Sequence, residues 1–192
     1  VLKNRMPKEH LQSYEQIMLW HNVRNSEDIA FEAPVISGLI EELPLPYTVT
    51  KTPGKTKHLF CKDDDDKKDN LLNILKKLSL DNVSGNDIVI LSNYTLANNK
   101  NILNSIDVSQ YYNIYDLSKM SNDGVLNNDK NKIKNKDTIY FSTTLAFQGL
   151  ESKIVIYLDP LDTFYQSSSN ADERTTNEAH MLLFNAMGRA NT

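Results

Sequence analysis

Three short runs constrain this chain more than anything else in it. Asp87-Ile-Val-Ile-Leu-Ser92, Thr138 to Ser142 and Lys153 to Leu158 are apolar or β-branched through their centres, with polar residues only at their ends. A strand with one wet face alternates, whereas a strand covered on both faces reads as a continuous apolar run; these runs therefore predict central strands of a parallel sheet. Parallel neighbours need crossovers, and the intervening stretches supply them. Helices are expected near Thr95 to Ser105 and over Glu178 to Met187, with a shorter strand near Tyr112 to Leu117. Strands alternating with helices imply an α/β, doubly wound sheet with helices on both sides.

The N-terminal part fits the same class. A first helix is expected over residues 10–20, and Asn25-Ser26-Glu27-Asp28 offers capping chemistry for a second, from Ile29 to Leu43, stopped by Pro44 and Pro46. Tyr47 to Thr50 and His58 to Cys61 are rich in β-formers and flank Thr52-Pro53-Gly54-Lys55, which predicts two edge strands joined by a turn. Asp63 to Asp66 reads as a solubilising loop ahead of Leu71, Leu72, Ile74, Leu75 and Leu78, an apolar stripe at helical spacing. Residues 119–137, dense in Asn, Asp and Lys, read as a flexible loop. The 192 residues suit one domain, and a start without Met and a stop at Gly-Arg-Ala-Asn-Thr lead us to expect a piece of a longer protein.

Charge narrows the function. A net charge of -4 gives the chain no overall attraction for phosphate, so nucleic-acid contact would have to come from local groups. The lone cysteine, Cys61, forms no internal disulfide and builds no thiolate metal site, which fits a reducing, cytoplasmic setting. No apolar run approaches the length of a membrane-spanning helix, and no membrane partner is expected. His10, His21, His58 and His180 show no metal-ligand spacing, no Ser/His/Asp or Cys/His constellation is evident, and no metal is assigned.

Three segments carry more specific chemistry. In Ser142-Thr-Thr-Leu-Ala-Phe-Gln-Gly-Leu-Glu-Ser-Lys-Ile-Val-Ile-Tyr157 a strand ends in hydroxyls, turns through Gly149 and re-enters a second strand, which places the turn at the carboxyl edge of the sheet, where open α/β sheets bind ligands. Thr143 to Glu151 resembles motif V of the UvrD/Rep-type superfamily 1 helicases, T-x-H-x-x-K-G-L-E, with Leu145 for His and Gln148 for Lys. Glu178 to Ala190 resembles motif VI, L-x-Y-V-A-x-T-R-A, with Phe184, Ala186, Arg189 and Ala190 in register and Gly188 for Thr. Leu19-Trp-His-Asn-Val-Arg-Asn25 resembles motif IV, L-x-x-N-Y-R-S/N, with Val23 where an aromatic side chain would stack on adenine.

The resemblance runs in family order over nearly the whole chain and implies the second, C-terminal RecA-like domain of such a helicase. It implies that Arg24 and Arg189 act catalytically on γ-phosphate, where a planar, always-charged guanidinium bridges phosphate oxygens. It further implies that Gly149 and Glu151 face nucleotide, and that Thr143 and Thr144 face single-stranded DNA, or RNA as the alternative. ATP and Mg²⁺ would belong to the full-length protein, held by an N-terminal RecA-like domain of the same parent chain, with none expected on this piece by itself. The phosphate-cradling G-x-x-x-x-G-K-[ST] loop is absent from the sequence; Gly54-Lys55-Thr56 lacks its leading glycine and reads as a turn. The Lys130, Lys132, Lys134 and Lys136 ladder, diluted by Asp123, Asp129 and Asp137, reads as solvated. The competing expectation is a non-catalytic α/β interaction module with relic helicase motifs, in which Arg189 is a surface charge near a helix end.

Overall fold

The computed structural model describes residues 25–37, 54–117, 137–159 and 181–190 in full and the backbone of residues 21–22 and 47–48. Strand β1 (His21–Asn22), helix α1 (Glu27–Ile36) and strand β2 (Tyr47–Thr48) form a parallel pair with its crossover helix. Helix α1 starts inside the expected capping cluster, two residues before Ile29, with Ser26 at the N-cap position but its hydroxyl making no capping bond, and it stops at Ile36 rather than continuing to Leu43. The Ser37 amide and hydroxyl bond the carbonyls of Ala33 and Pro34, and Gly38, the residue type that most often follows a helix end, comes next in the sequence.

The expected hairpin does not form. Tyr47–Thr48 pairs in parallel with His21–Asn22, and residues 54–61 carry no ladder at all. The acidic run also departs from expectation. Asp63 is the N-cap of helix α2 (Asp64–Leu80), its carboxylate accepting from the Asp66 amide at 2.8 Å, and Asp64, Asp65 and Asp66 occupy the first turn. Carboxylates there favour the positive end of the helix dipole, so the run that looks like a solvated loop is a helix start. At the other end Asn82, with φ 55°, closes the helix: its amide bonds Ser79 and that of Val83 bonds Leu78, while Leu78 and Val83 both pack on the core.

Strands β3 (Ile88–Ser92), β4 (Asn113–Asp116), β5 (Thr138–Thr143) and β6 (Ile154–Tyr157) build a four-stranded sheet in the order β4-β5-β3-β6, every pair parallel. Strand β3 sits inside, and its five side chains are all buried, as its unbroken apolar run requires. Ile88 and Ile90 face Leu71 and Leu75 of α2, together with Ile139 and Phe141 of β5. Val89 and Leu91 face the opposite side, against Phe147 and Ala186, the latter on a helix over 181–187, here α3. Each fully buried aliphatic side chain contributes about 1.5–3 kcal/mol, so this central strand anchors the domain. The architecture is α/β, a parallel sheet flanked by helices, consistent with the expected RecA-like arrangement.

The connection from β3 to β4 is not the helix expected over Thr95 to Ser105. It is a series of turns ending in a 3-10 helix, Ile102–Ser105. Asn101 explains the difference: its side chain accepts from Leu103 N–H and donates to the carbonyls of Tyr94 and Thr95, taking groups that an α-helix would use. Ile102 and Leu103 of this connection join the α2 side of the sheet, whereas Phe147 of the β5–β6 connection joins the α3 side. The two crossovers thus leave β3 and β5 toward opposite faces, which makes the gap between those strands the topological switch point. Residues 10–20, 119–136 and 178–180, for which two helical segments and a loop are expected, lie outside the described residues.

Candidate functional site

Because β5 and β6 are parallel, the connection 144–153 must travel from the carboxyl edge of the sheet back to its amino edge before β6 begins. It does so through successive turns and Gly149, whose φ of +88° lies in the left-handed region where an L side chain is strained. A Cβ at 149 would meet nothing within 4 Å, so this glycine is required by conformation and not by crowding. Gly149 and Glu151 are exposed, and Glu151 lies at the amino edge, immediately ahead of Ser152.

Arg189 arrives at the same place from α3. After the last helical residue, Gly188 N–H bonds Phe184 O at 3.0 Å and Arg189 N–H bonds Ala186 O at 3.2 Å. A Cβ on Gly188 would stand 3.3 Å from the Phe184 carbonyl, somewhat tighter than side chains usually pack. Ser152 N–H then donates to Arg189 O at 3.1 Å, forming a parallel bridge with Ala190. Ser152 Oγ donates to Asp87 O at 2.8 Å, and Lys153 pairs with Asp87 at 2.9 Å, tying the junction to the start of β3.

A third segment completes the junction. Asn25 Nδ2 donates to Gly188 O at 3.2 Å and to Ala190 O at 2.7 Å. Arg24 itself lies outside the described residues. Glu151, Arg189 and the residue after Arg24 are therefore brought together, but at the amino edge rather than the carboxyl edge expected for the turn through Gly149. The reason is strand direction: a parallel β6 leaves Glu151 no other place to be.

The carboxyl edge holds the other end of the same connection. Thr143, the last residue of β5, is half-buried, and its Oγ1 accepts from Ala146 N–H at 3.3 Å. Thr144 is buried; its amide donates to Ser92 O at 3.1 Å and its hydroxyl to Asn93 Oδ1 at 3.4 Å. Leu145, at the position where the resemblance implies His, projects into solvent. Sequence reasoning missed the group beside them. Asp159, 3 % exposed, accepts from Lys67 Nζ at 2.8 Å and from Ser92 Oγ, and its carbonyl accepts from Asn93 Nδ2 at 3.0 Å. Tyr157 OH donates to Asn93 Oδ1 at 2.7 Å. The available signal was a polar residue directly after an apolar run, as with Ser92 and Asp159, yet nothing in sequence pairs Asp159 with Lys67.

Gly54-Lys55-Thr56 leads into an irregular segment rather than a helix, so it lacks the helix N-terminus on which a phosphate loop depends. Its glycine answers to crowding: a Cβ at 54 would lie 1.9 Å from Ser26 Oγ. Among the described residues no cluster of His, Cys, Asp and Glu has the makings of a metal site, and no helix is long and apolar enough to cross a membrane. Comparison with protein-family models, curated proteins and solved structures finds no match for this chain.

Proposed function

We propose that this chain is the second motor domain of an ATP-dependent helicase or translocase of the UvrD/Rep type, working in the cytoplasm on single-stranded DNA. The observation that carries the proposal is the path of residues 144–153. One short connection joins Thr143 at the carboxyl edge to Glu151 at the amino edge, where Arg189 and the segment after Arg24 also arrive. A motor domain needs such a link, because nucleotide state must be felt at the nucleic-acid contact.

In this reading ATP and Mg²⁺ sit on a partner RecA-like domain and supply the phosphoryl group and its counter-charge. Arg189 and Arg24 offer planar guanidinium groups to the γ-phosphate. Glu151 and Gly149 border the nucleotide. Thr143, half-buried with its hydroxyl at the strand end, contacts the nucleic-acid backbone, while Thr144 shapes the edge through its bonds to Ser92 and Asn93. Opening and closing of the cleft between the two domains would step the protein along the strand.

The test is ATP hydrolysis, with and without single-stranded DNA, by the protein that joins this chain to its ATP-binding domain. Arg189→Ala is expected to lower kcat by about 10³-fold, the usual contribution of an arginine finger. An unchanged kcat would reject the role of Arg189, and ATP hydrolysis by this chain alone would reject the placement of the phosphate loop on a partner domain. The competing proposal, an interaction module with relic motifs, draws support from the exposed Phe60, 85 % accessible, and Phe31 on α1. It predicts no nucleic-acid-stimulated hydrolysis in any form of the protein.

A further inference from the structure

Asn25 is buried, 6 % exposed, and polar, and it is not the cap of the helix that follows, since Ser26 holds that position. Its two amide hydrogens are directed instead to residues more than 160 positions later, the carbonyls of Gly188 and Ala190. The carbonyl between them, that of Arg189, accepts from Ser152 N–H. All three carbonyls of Gly188-Arg189-Ala190 are thus held by donors from two other parts of the chain. The segment that leaves the helix is fastened on both sides of the residue that carries the guanidinium.

We infer that Asn25 is a positioning residue for Arg189: its carboxamide clamps the carbonyls that flank the arginine and so fixes the backbone from which the guanidinium reaches the phosphate. This inference rests on the motor reading for its effect on catalysis, but the clamp itself is a matter of geometry. It also requires an amide donor at this position. Aspartate has the same shape but offers only acceptors to two carbonyl oxygens, and apolar residues leave both carbonyls without their side-chain donor. Coupling the segment before α1 to the segment after α3 makes the direction of Arg189 depend on whether the first segment is in place.

The decisive comparison is Asn25→Asp, Arg189→Ala and the double variant in the protein that includes the ATP-binding domain. A displaced arginine loses transition-state contact, so Asn25→Asp should lower kcat by about tenfold to a hundredfold with little change in KM for ATP. Because both changes act through the same group, the double variant should be no slower than Arg189→Ala alone. Losses that multiply, or a kcat that Asn25→Asp leaves unchanged while Arg189→Ala lowers it, would overturn the positioning role. If Arg189→Ala itself has no effect, the motor reading fails, and the clamp is then judged by NMR on this chain. Asn25→Asp should shift the Arg189 Nε resonance and speed exchange of the Ser152 amide; unchanged signals at both would overturn it.

Discussion

The two edges of the sheet use polar groups in opposite ways. At the carboxyl edge, Ser92, Asn93, Thr144, Tyr157, Asp159 and Lys67 bond to one another, and the switch point between β3 and β5 is closed by Thr144 N–H on Ser92 O. At the amino edge, the bonds reach mainly backbone carbonyls, with Asn25 and Ser152 as donors and Lys153 paired with Asp87, and Arg189 and Glu151 lie in the segments this frame joins. Open α/β sheets ordinarily bind ligands at the carboxyl edge. Here the polar side chains of that edge bond extensively to one another.

Removing one partner of the buried pair strikes that contrast hardest. Lys67→Met leaves Asp159 buried without its cation and is expected to lower stability by about 3 kcal/mol, measured by urea unfolding. Resonances of Ser152 and Arg189 should stay in place in the native variant. A loss below about 1 kcal/mol, typical of surface pairs, would mean that the carboxyl edge is not the structural one.

A smaller effect is expected where the two edges are joined. Gly149→Ala forces a Cβ into left-handed backbone and should cost about 1–2 kcal/mol, with no steric part because the space around it is open. A neutral Gly149→Ala would show that the turn adopts another conformation without loss, and would weaken the idea of a defined link between Thr143 and Glu151.

The smallest effect concerns the helix that follows Asn25. His58 Nε2 lies 2.9 Å from Glu32 Oε2, tying the segment 54–61 to α1, and this hydrogen bond holds the Glu32 carboxyl below its ordinary value. A lowered carboxyl pKa contributes stability that is full above the unfolded value and is lost as pH falls through the folded one. Both groups are partly exposed, so the contribution is about 0.2–1 kcal/mol. Urea midpoints of the native chain should therefore approach those of Glu32→Gln on acidification to about pH 3, and a gap that persists in acid would show that the two differ for another reason.

The central strands were legible because burial on both faces removes every polar residue from a strand interior, and Ile88 to Leu91 has none. Helix α2 was legible from Leu71 and Leu75, one turn apart, but its start was not, since a row of aspartates reads alike in a loop and in the first turn of a helix. The turns at 93–105 were misread because apolar residues at helical spacing compete with asparagines, and Asn101 decides the outcome through bonds that spacing does not reveal. Of the candidate site, Thr143, Gly149, Glu151 and Arg189 could be named from pattern, whereas Asn25, Lys67 and Asp159 could not.

By itself the sequence determined the parallel α/β class and the stations of its main strands. Tertiary structure alone decided which edge each residue occupies. Strand direction carries Glu151 to the amino edge, hydrogen bonds across more than 160 residues bring Asn25 to Arg189, and burial commits Asp159 to Lys67. Local pattern is set by neighbours a few positions away, while these placements depend on backbone groups that meet only after the sheet has formed.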